Sequence, residues 1–237
     1  MMEDKPKVSI ITICLNSEKT IKDTLLSVLG QTYEQIEYLI IDGKSTDGTL
    51  NIINDFVPLF NGRLKIISEK DTGIYNAMNK GIRKASGEII GIINSDDFYE
   101  PDAVRSAVNV LDTSKCQIAY GPMRYIKKNR PDWISDFHHD KLPFVMISHP
   151  ACFVTRKAYG LNGLFDEKYR IAADYDLMLR NYLNKSEFIK IEKLMANHRL
   201  GGISSNEMVF NEHYKIRLKN KTISLKDYLL FRLLGIV

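Results

Sequence analysis

Acidic side chains follow three apolar runs of the sequence, each at the point where a predicted strand ends. The predicted strands and the acids after them are residues 38–41 with Asp42, residues 64–67 with Asp71, and residues 88–93 with Asp96 and Asp97. Ligands of an open parallel sheet bind outside the carboxyl ends of its strands, so we expect these carboxylates to share one rim. Because such a rim repels a bare phosphate, the pattern predicts that Mg²⁺ or Mn²⁺ mediates binding of a phosphorylated substrate.

Each acid also has a simpler structural interpretation. Asp42 precedes a glycine and is typical of a turn. Asp71 could cap the next helix, and Asp96 with Asp97 could form only the loop that leads into another helix. A ligand site is favoured because all of these acids are predicted to meet at one edge of the sheet.

The elements that must position these acids alternate between strand and helix. Residues 8–15 form the first predicted strand, and apolar residues recur at helical spacing between each strand and the next. Short strand–helix alternation predicts an α/β fold with a doubly wound, mostly parallel sheet that helices cover on both faces. Residues 123–154 are less regular, and a basic helix is predicted near the C-terminal end.

Composition fits one substantial α/β domain. The chain has 237 residues, of which 44% are hydrophobic and 26% are charged. A net charge of +4 without a basic stripe between aromatic residues argues against nucleic acid as a partner. No run approaches the roughly 20 apolar residues of a membrane span, and no apolar signal region opens the chain. We therefore expect a cytoplasmic protein.

Five motifs carry a resemblance to a known family. They are Val-Ser-Ile-Ile-Thr-Ile-Cys-Leu-Asn ending at Asn16, Asp-Gly-Lys-Ser-Thr-Asp-Gly-Thr from Asp42, Asp-Thr-Gly-Ile-Tyr-Asn-Ala-Met-Asn-Lys-Gly from Asp71, Asn-Ser-Asp-Asp from Asn94, and Ala-Asp-Tyr-Asp-Leu from Ala173. In this order they resemble the signatures of family 2 glycosyltransferases of the bacterial surface-glycan type, which have the GT-A fold. The resemblance covers about residues 8–202. The aromatic signature of processive polysaccharide synthases is absent, so a non-processive enzyme is expected.

The resemblance implies roles for individual residues. Around the nucleotide it places Leu15, Asp42, Asp71 and Asp96. Asp97 would be the direct ligand of Mg²⁺ or Mn²⁺, and Asp174 would be the general base of an inverting transfer. The implied donor is a nucleoside diphosphate sugar, usually a UDP-sugar, and the implied acceptor is a hydroxyl of a glycan or lipid-linked molecule in surface polysaccharide assembly.

Two histidines are further candidates. His198 could complete the metal shell, and the alternative is an ordinary surface or loop histidine. His149 could face the acceptor, and its alternative is a turn before a buried strand.

The predicted organisation has two parts. A GT-A-like domain covers residues 1–212, with a donor half at about 7–120 and an acceptor half at about 121–212. Residues 213–237 are predicted to form a basic amphipathic helix. This helix could lie on an anionic membrane and hold the enzyme at its cytoplasmic face, or it could pack on the domain or on a second subunit.

Two other functions compete with sugar transfer. A non-catalytic module that binds nucleotides or carbohydrates would need the same cleft without the base. A nucleotidyltransferase usually carries a glycine-rich phosphate loop after its first strand, whereas residues 16–19 contain no glycine.

Overall fold

The structure, a computed structural model, describes residues 5–127, 130–201 and 208–233. In these ranges the strands are β1 (Val8–Cys14), β2 (Ile36–Asp42), β3 (Leu64–Ser68), β4 (Ile89–Ile92), β5 (Phe98–Tyr99), β6 (Gln117–Tyr120), β7 (Met123–Ile126), β8 (Trp133–Ser135), β9 (Cys152–Thr155), β10 (Glu187–Lys190) and β11 (Ala196–Arg199). The helices are α1 (Ile21–Leu29), α2 (Thr49–Phe56), α3 (Ile74–Lys84), α4 (Ala103–Val108), α5 (Arg156–Asn162), α6 (Ala173–Leu183), α7 (Met208–Lys219) and α8 (Leu225–Leu233).

The main sheet has the strand order β10-β6-β9-β4-β1-β2-β3. All neighbouring strands run parallel except β9, which is antiparallel to both β4 and β6. The register aligns the carboxyl ends of the first three strands, because Cys14 pairs with Asp42 and Asp42 pairs with Ser68. This confirms the expected α/β fold with a mostly parallel sheet.

The antiparallel strand β9 is reached from β6 through residues 121–151, and the described part of this segment contains no α-helix. A parallel neighbour requires a crossover of a dozen or more residues, usually through a helix. Instead, β9 directly follows a single 3-10 turn, His149–Ala151, after the irregular segment. The alternating pattern of the first half contains no signal for this reversal, so the sequence did not predict it.

A second, four-stranded sheet has the order β5-β11-β7-β8. It joins segments that are distant in the chain, since Asn197 in β11 pairs with Phe98 in β5. This pairing brings His198 beside Asp97. The smaller sheet therefore connects the predicted metal-binding loop to the C-terminal part of the domain.

Two apolar layers cover the main sheet. One includes Ile10 and Ile40 with helices α1, α2 and α4, and the other includes Ile11 with helices α3 and α6. Helix α3 approaches β1 closely at Gly81, where an added Cβ would lie 2.5 Å from Ile11 Cγ2. The sheet is thus buried on both faces, as parallel sheets normally are.

The C-terminal part is helical as predicted, but it is not the single helix that was predicted for residues 213–237. The structure has two helices, α7 and α8, and α7 begins at Met208. Lys221 between them has a φ of 56°, a left-handed conformation that ends α7. Residues 234–237 lie outside the described residues. Ile216 is fully buried, so α7 is packed against the domain.

Candidate active site

Asp42 ends β2 and is fully buried. Its carboxylate accepts hydrogen bonds from the backbone N–H groups of Lys44 and Ser45 and from Ser68 Oγ at 2.6 Å. Cys14 Sγ donates to it at 3.7 Å, and burial, followed by the nearby charge of Asp42, raises the pKa of that thiol. Asp42 therefore fixes the shape of the turn after β2.

Leu15 and Asp71 converge on this turn. An added Cβ at Gly43 would lie 3.1 Å from Asp71 Oδ2 and 3.5 Å from Leu15 Cδ1. Lys80 Nζ donates to Asp71 Oδ1 at 2.7 Å. Leu15 is 59% exposed, so it offers an apolar surface beside two buried or paired acids.

The loop after β1 connects this turn to the Asn-Ser-Asp-Asp loop. Asn16 N–H donates to Ser45 Oγ at 2.9 Å, while Ser17 Oγ and Ser95 Oγ lie 2.8 Å apart. The predicted nucleotide-binding residues and the predicted metal-binding residues are therefore neighbours along one edge of the sheet.

Asp97 is fully buried, and its carboxylate is occupied. His198 Nδ1 lies 3.0 Å from it, and Arg199 N–H donates to Oδ1 at 3.0 Å. Burial alone would lower the pKa of His198, but the hydrogen bond and charge of Asp97, together with Asp96, raise it. The predicted metal ligand Asp97 thus directly holds the imidazole of His198.

Asp96 differs from its neighbour. It is only partly buried, and within the described part of the chain its carboxylate receives a hydrogen bond only from its own backbone N–H. Burial, followed by the adjacent charge of Asp97, raises the pKa of Asp96. Of the two acids in this loop, Asp96 is the one whose carboxylate receives no hydrogen bond from another described residue.

Asp174 is the second residue of α6, where a carboxylate is favoured by the helix dipole. Its Oδ1 accepts hydrogen bonds from Tyr75 Oη and from Tyr175 N–H, both at 2.9 Å. Among the residues that the structure describes, none donates a hydrogen bond to Oδ2. One oxygen is therefore held in place, and the other keeps its lone pairs available.

A cavity of about 720 Å³ joins several of these residues. Asp174, His198, His149 and Asn94 all line it. His149 is nearly buried, and this burial lowers its pKa, so the imidazole is neutral near pH 7. The predicted base, the predicted acceptor-side histidine and the metal-loop region therefore share one cleft.

The sequence interpretation missed two residues of this cleft. Tyr75 lies inside the second motif, but its contact with Asp174 spans 99 positions of the chain. Tyr125 lines the cavity and meets the His198 ring edge-on at 5.2 Å between centroids, while Trp133 stacks on it. Only the unusual aromatic content of the irregular segment could have pointed to the second residue.

The family model described as "Glycosyl transferase family 2" matches residues 9–191. The chain belongs to this family. The assignment confirms the resemblance read from the five motifs and makes the protein an enzyme of glycosyl transfer. Of the competing functions, neither the non-catalytic module nor the nucleotidyltransferase agrees with it.

Two curated relatives are similar in sequence over most of this chain. A "PGL/p-HBAD biosynthesis glycosyltransferase" of Mycobacterium tuberculosis is 32% identical over 214 residues, which is 89% of this chain and 83% of the relative. The "Chondroitin synthase" of Escherichia coli is 33% identical over 226 residues, which is 89% of this chain and 32% of that protein.

Solved structures share the fold of this glycosyltransferase. S. aureus TarS 1-349 in complex with UDP-GlcNAc has a TM-score of 0.71 at 20% identity, over 89% of this chain and 65% of that one. The mannosyltransferase PcManGT from Pyrobaculum calidifontis, in complex with GDP-Man and Mn²⁺, has a TM-score of 0.70 at 17% identity, over 91% and 65%. These similarities confirm the GT-A-like fold. No helix in the described ranges has the length and apolarity to cross a membrane.

Proposed function

We propose that this glycosyltransferase moves a sugar from a UDP-sugar to a hydroxyl of a glycan or lipid-linked acceptor, with inversion at the anomeric carbon. The observation that carries the proposal is the cleft in which Asp174 and His198 face one cavity. The names of the mycobacterial relatives and of chondroitin synthase support a role in surface-glycan assembly. The UDP-GlcNAc complex of TarS supports a UDP-sugar as donor.

The donor set fits a divalent metal ion. The Asp96 carboxylate receives no hydrogen bond from another described residue, and carboxylate oxygens are the ligands that Mg²⁺ and Mn²⁺ prefer. His198 has its Nδ1 directed at Asp97, which leaves Nε2 without a hydrogen bond from the described residues. A histidine that is oriented through one nitrogen by a carboxylate and ligates through the other is a common arrangement at metal sites.

We therefore assign Asp96 and His198 as metal ligands and Asp97 as the residue that orients His198. This assignment modifies the role that the motif resemblance implied for Asp97. When bound, the metal ion would supply positive charge next to the diphosphate leaving group. Asp97 keeps His198 fixed, and Arg199 N–H holds Asp97 in turn.

Asp174 acts as the base in this proposal. Tyr75 and the N–H of Tyr175 hold Oδ1, so Oδ2 is free to accept the proton of the acceptor hydroxyl as that oxygen attacks the sugar. A positioned base contributes about 10²–10⁴-fold to the rate. Attack from the side opposite the leaving group inverts the anomeric configuration.

The turn after β2 serves the nucleotide in this proposal. Leu15 supplies an exposed apolar surface for the base, and Asp71 lies beside it. Asp42 is fully buried, so it acts by holding the backbone of Lys44 and Ser45 in place. His149 lines the same cavity, and its proposed role is to contact the acceptor.

Two further parts of the proposal concern the whole protein. A donor half at about 7–120 and an acceptor half at about 121–212 divide the substrate contacts between them. Helix α8 exposes Leu225, Leu229 and Leu230, and this apolar surface supports contact with a membrane face at which a lipid-linked acceptor is available.

A donor screen tests the proposed function. Purified protein is incubated with UDP-glucose, UDP-galactose, UDP-N-acetylglucosamine or GDP-mannose and Mn²⁺, and released nucleoside diphosphate is measured with and without glycan acceptors. We expect turnover with a UDP-sugar that rises with acceptor, and a loss of at least about 100-fold in Asp174→Asn. The control is Asp55→Asn, which changes an exposed carboxylate on α2. Full activity of Asp174→Asn would refute the assigned base.

A further inference from the structure

Glu212 of α7 binds the backbone directly before helix α6. Its carboxylate accepts hydrogen bonds from the N–H groups of Arg170, Ile171 and Ala172, at 2.8, 2.9 and 2.9 Å. Residues 170–172 are consecutive, and Ala172 occupies the N-cap position of α6. Alanine has no side chain that can accept a hydrogen bond, so α6 has no cap of its own. Glu212, 40 positions after Ala172, instead accepts from the N–H of this N-cap residue and from the two N–H groups before it.

The same short segment holds the proposed base. Tyr75 Oη is shared between the carbonyl oxygen of Ile171, at 2.6 Å, and Asp174 Oδ1, at 2.9 Å. Ile171 is therefore fixed from both sides, by Glu212 at its N–H and by Tyr75 at its carbonyl oxygen. Asp174 follows two residues after this capped segment, so any movement of the segment moves the carboxylate that faces the cavity.

Helix α7 is firmly docked where Glu212 acts. The His213 ring lies 4.4 Å from the Tyr175 ring between centroids, and Ile216 is fully buried. Lys219 Nζ lies 3.4 Å from Asp176 Oδ1, a buried carboxylate that also binds Arg180. The family match ends at residue 191, so this contact comes from outside the matched segment.

We propose that Glu212 is a positioning residue for the Asp174 carboxylate, through which α7 completes the active site. The proposal rests on the proposed role of Asp174 as base. A base must be within hydrogen-bond reach of the proton it removes, and a displacement of about 1 Å can cost about 100-fold in rate. Glu212 contributes no atom to the reaction and acts only by holding residues 170–172.

A purely structural cap is the competing explanation, and Glu37 provides the matched control. Glu37 is also a buried carboxylate that accepts backbone hydrogen bonds, here from Ser86 and Gly87. It touches none of the residues that line the cavity. Glu37→Gln therefore reports what the loss of a buried, backbone-binding carboxylate does to the fold alone.

The test measures kcat, donor KM and amide hydrogen exchange for Glu212→Ala, Glu212→Gln and Glu37→Gln, with the most active sugar nucleotide of the donor screen. We expect kcat to fall about 10- to 100-fold in Glu212→Ala with donor KM within about twofold, and less in Glu212→Gln, which keeps one acceptor oxygen. Exchange of the amides at 170–172 should accelerate in both Glu212 variants. Glu37→Gln should leave kcat and these amides unchanged.

If kcat is unchanged in Glu212→Ala and the variant loses thermal stability as Glu37→Gln does, the proposal is overturned. Glu212 then has only a structural role. A rise in donor KM without a loss of kcat would also overturn it. If Glu212→Ala does not fold, Glu212→Gln is judged by the same criteria. Asp174→Asn distinguishes failure of the proposed base from failure of the positioning role. If Asp174→Asn remains active, Asp174 is not the base. If Asp174→Asn is inactive and Glu212→Ala is fully active, only the positioning role of Glu212 is refuted.

Discussion

The hydroxyl of Tyr75 lies 2.9 Å from Asp174 Oδ1 and is the only side-chain donor to that carboxylate within the described ranges. Burial, followed by the charge of Asp174, raises the pKa of Tyr75 well above its usual value. The phenol therefore stays protonated, and remains a donor, across the range in which enzymes are normally assayed. Tyr75 thus orients the proposed base Asp174 without being a titrating group itself.

Tyr75→Phe should lower kcat by about 10-fold while donor KM changes little, because Asp174 loses one of the two groups that hold it. The measurement is steady-state release of nucleoside diphosphate. The control is Tyr33→Phe, which removes a hydroxyl bound to the carbonyl oxygen of Pro6. If both variants lose kcat equally, the effect of Tyr75 is on the fold and the orienting role is wrong.

The affinity for Mn²⁺ should fall by different amounts when Asp96, Asp97 or His198 is replaced. Asp96→Asn and His198→Ala should each abolish tight binding of Mn²⁺, because each removes a ligand. Asp97→Asn should weaken binding by about 10- to 100-fold, as expected for a residue that orients a ligand. Trp133 is the only tryptophan and stacks on Tyr125 beside His198, so quenching of its fluorescence by Mn²⁺ measures binding without turnover.

The order of these effects decides between two assignments. Binding that survives in Asp96→Asn but is lost in Asp97→Asn would restore Asp97 as the direct ligand. Asp55→Asn serves as the control for the removal of an acidic side chain, and it should leave quenching unchanged.

Acid stability should depend on Glu37. Burial alone would raise its pKa, but hydrogen bonds from Ser9 and Ser86 and the charge of Lys7 lower it from 4.5 to about 2. A lowered carboxyl pKa stabilises the fold above the unfolded value, and this contribution is lost as the pH falls from about 4.5 to about 2. Glu37→Gln should be less stable at pH 7, by about 1–3 kcal/mol for lost charge-assisted hydrogen bonds.

The measurement is urea denaturation across this pH window. The free energy of unfolding should fall more steeply with acid in the wild type than in Glu37→Gln, so that the two curves converge near pH 2. Parallel curves would mean that Glu37 does not carry the pH dependence.

Two glycines should respond to alanine with opposite signs. Gly81→Ala places a Cβ 2.5 Å from Ile11 Cγ2 and should cost about 1–3 kcal/mol of stability, as overpacked cores do. Gly160→Ala in α5 meets nothing within 4 Å and should stabilise the protein by about 0.5–1 kcal/mol through helix propensity. Ile11→Ala combined with Gly81→Ala should cost less stability than the sum of the two single losses, because the added methyl group fills part of the space that Ile11 leaves. Equal effects at both glycines would contradict the close packing of α3 on β1.

Membrane contact should depend on the exposed leucines of α8. Wild-type protein should co-sediment with vesicles that contain phosphatidylglycerol, and the triple change of Leu225, Leu229 and Leu230 to serine should abolish this while activity on soluble acceptors persists. Leu161→Ser, an equally exposed leucine on α5, is the control. A wild-type protein that ignores these vesicles but forms a dimer, lost in the triple variant, would identify a subunit interface instead.

The parts of the site that the sequence predicted are those built from local patterns. Asp42 follows a strand whose apolar run is continuous, and the register places its carboxylate at the expected edge. Asp174, at the second position of α6, lies in a contiguous motif, and the resemblance of that motif to the family signature is what pointed to it. The order of strands and helices in the first half was predictable for the same reason, because each element carries its own period.

The rest depended on contacts between distant segments. Nothing near Asp97 in the sequence shows that it is buried against His198, because that contact requires β5 and β11 to pair across 99 positions. Glu212 was missed because its partners are backbone N–H groups, and these leave no trace in residue types. The reversal of β9 was missed because strand direction is set by the connection and not by the strand itself.

The reversed strand has a consequence for how such an enzyme can change its substrates. Strand β9 follows residue 121, in the part proposed as the acceptor half, and is inserted between β4 and β6, which both precede residue 121. Its backbone is hydrogen-bonded to a neighbouring strand on both sides, so separation of the two proposed halves would break the pairing of β9 with β4 or β6. New acceptor preferences must therefore arise by exchange of the loops around the cavity, on a scaffold that stays rigid, and not by a hinge between two lobes.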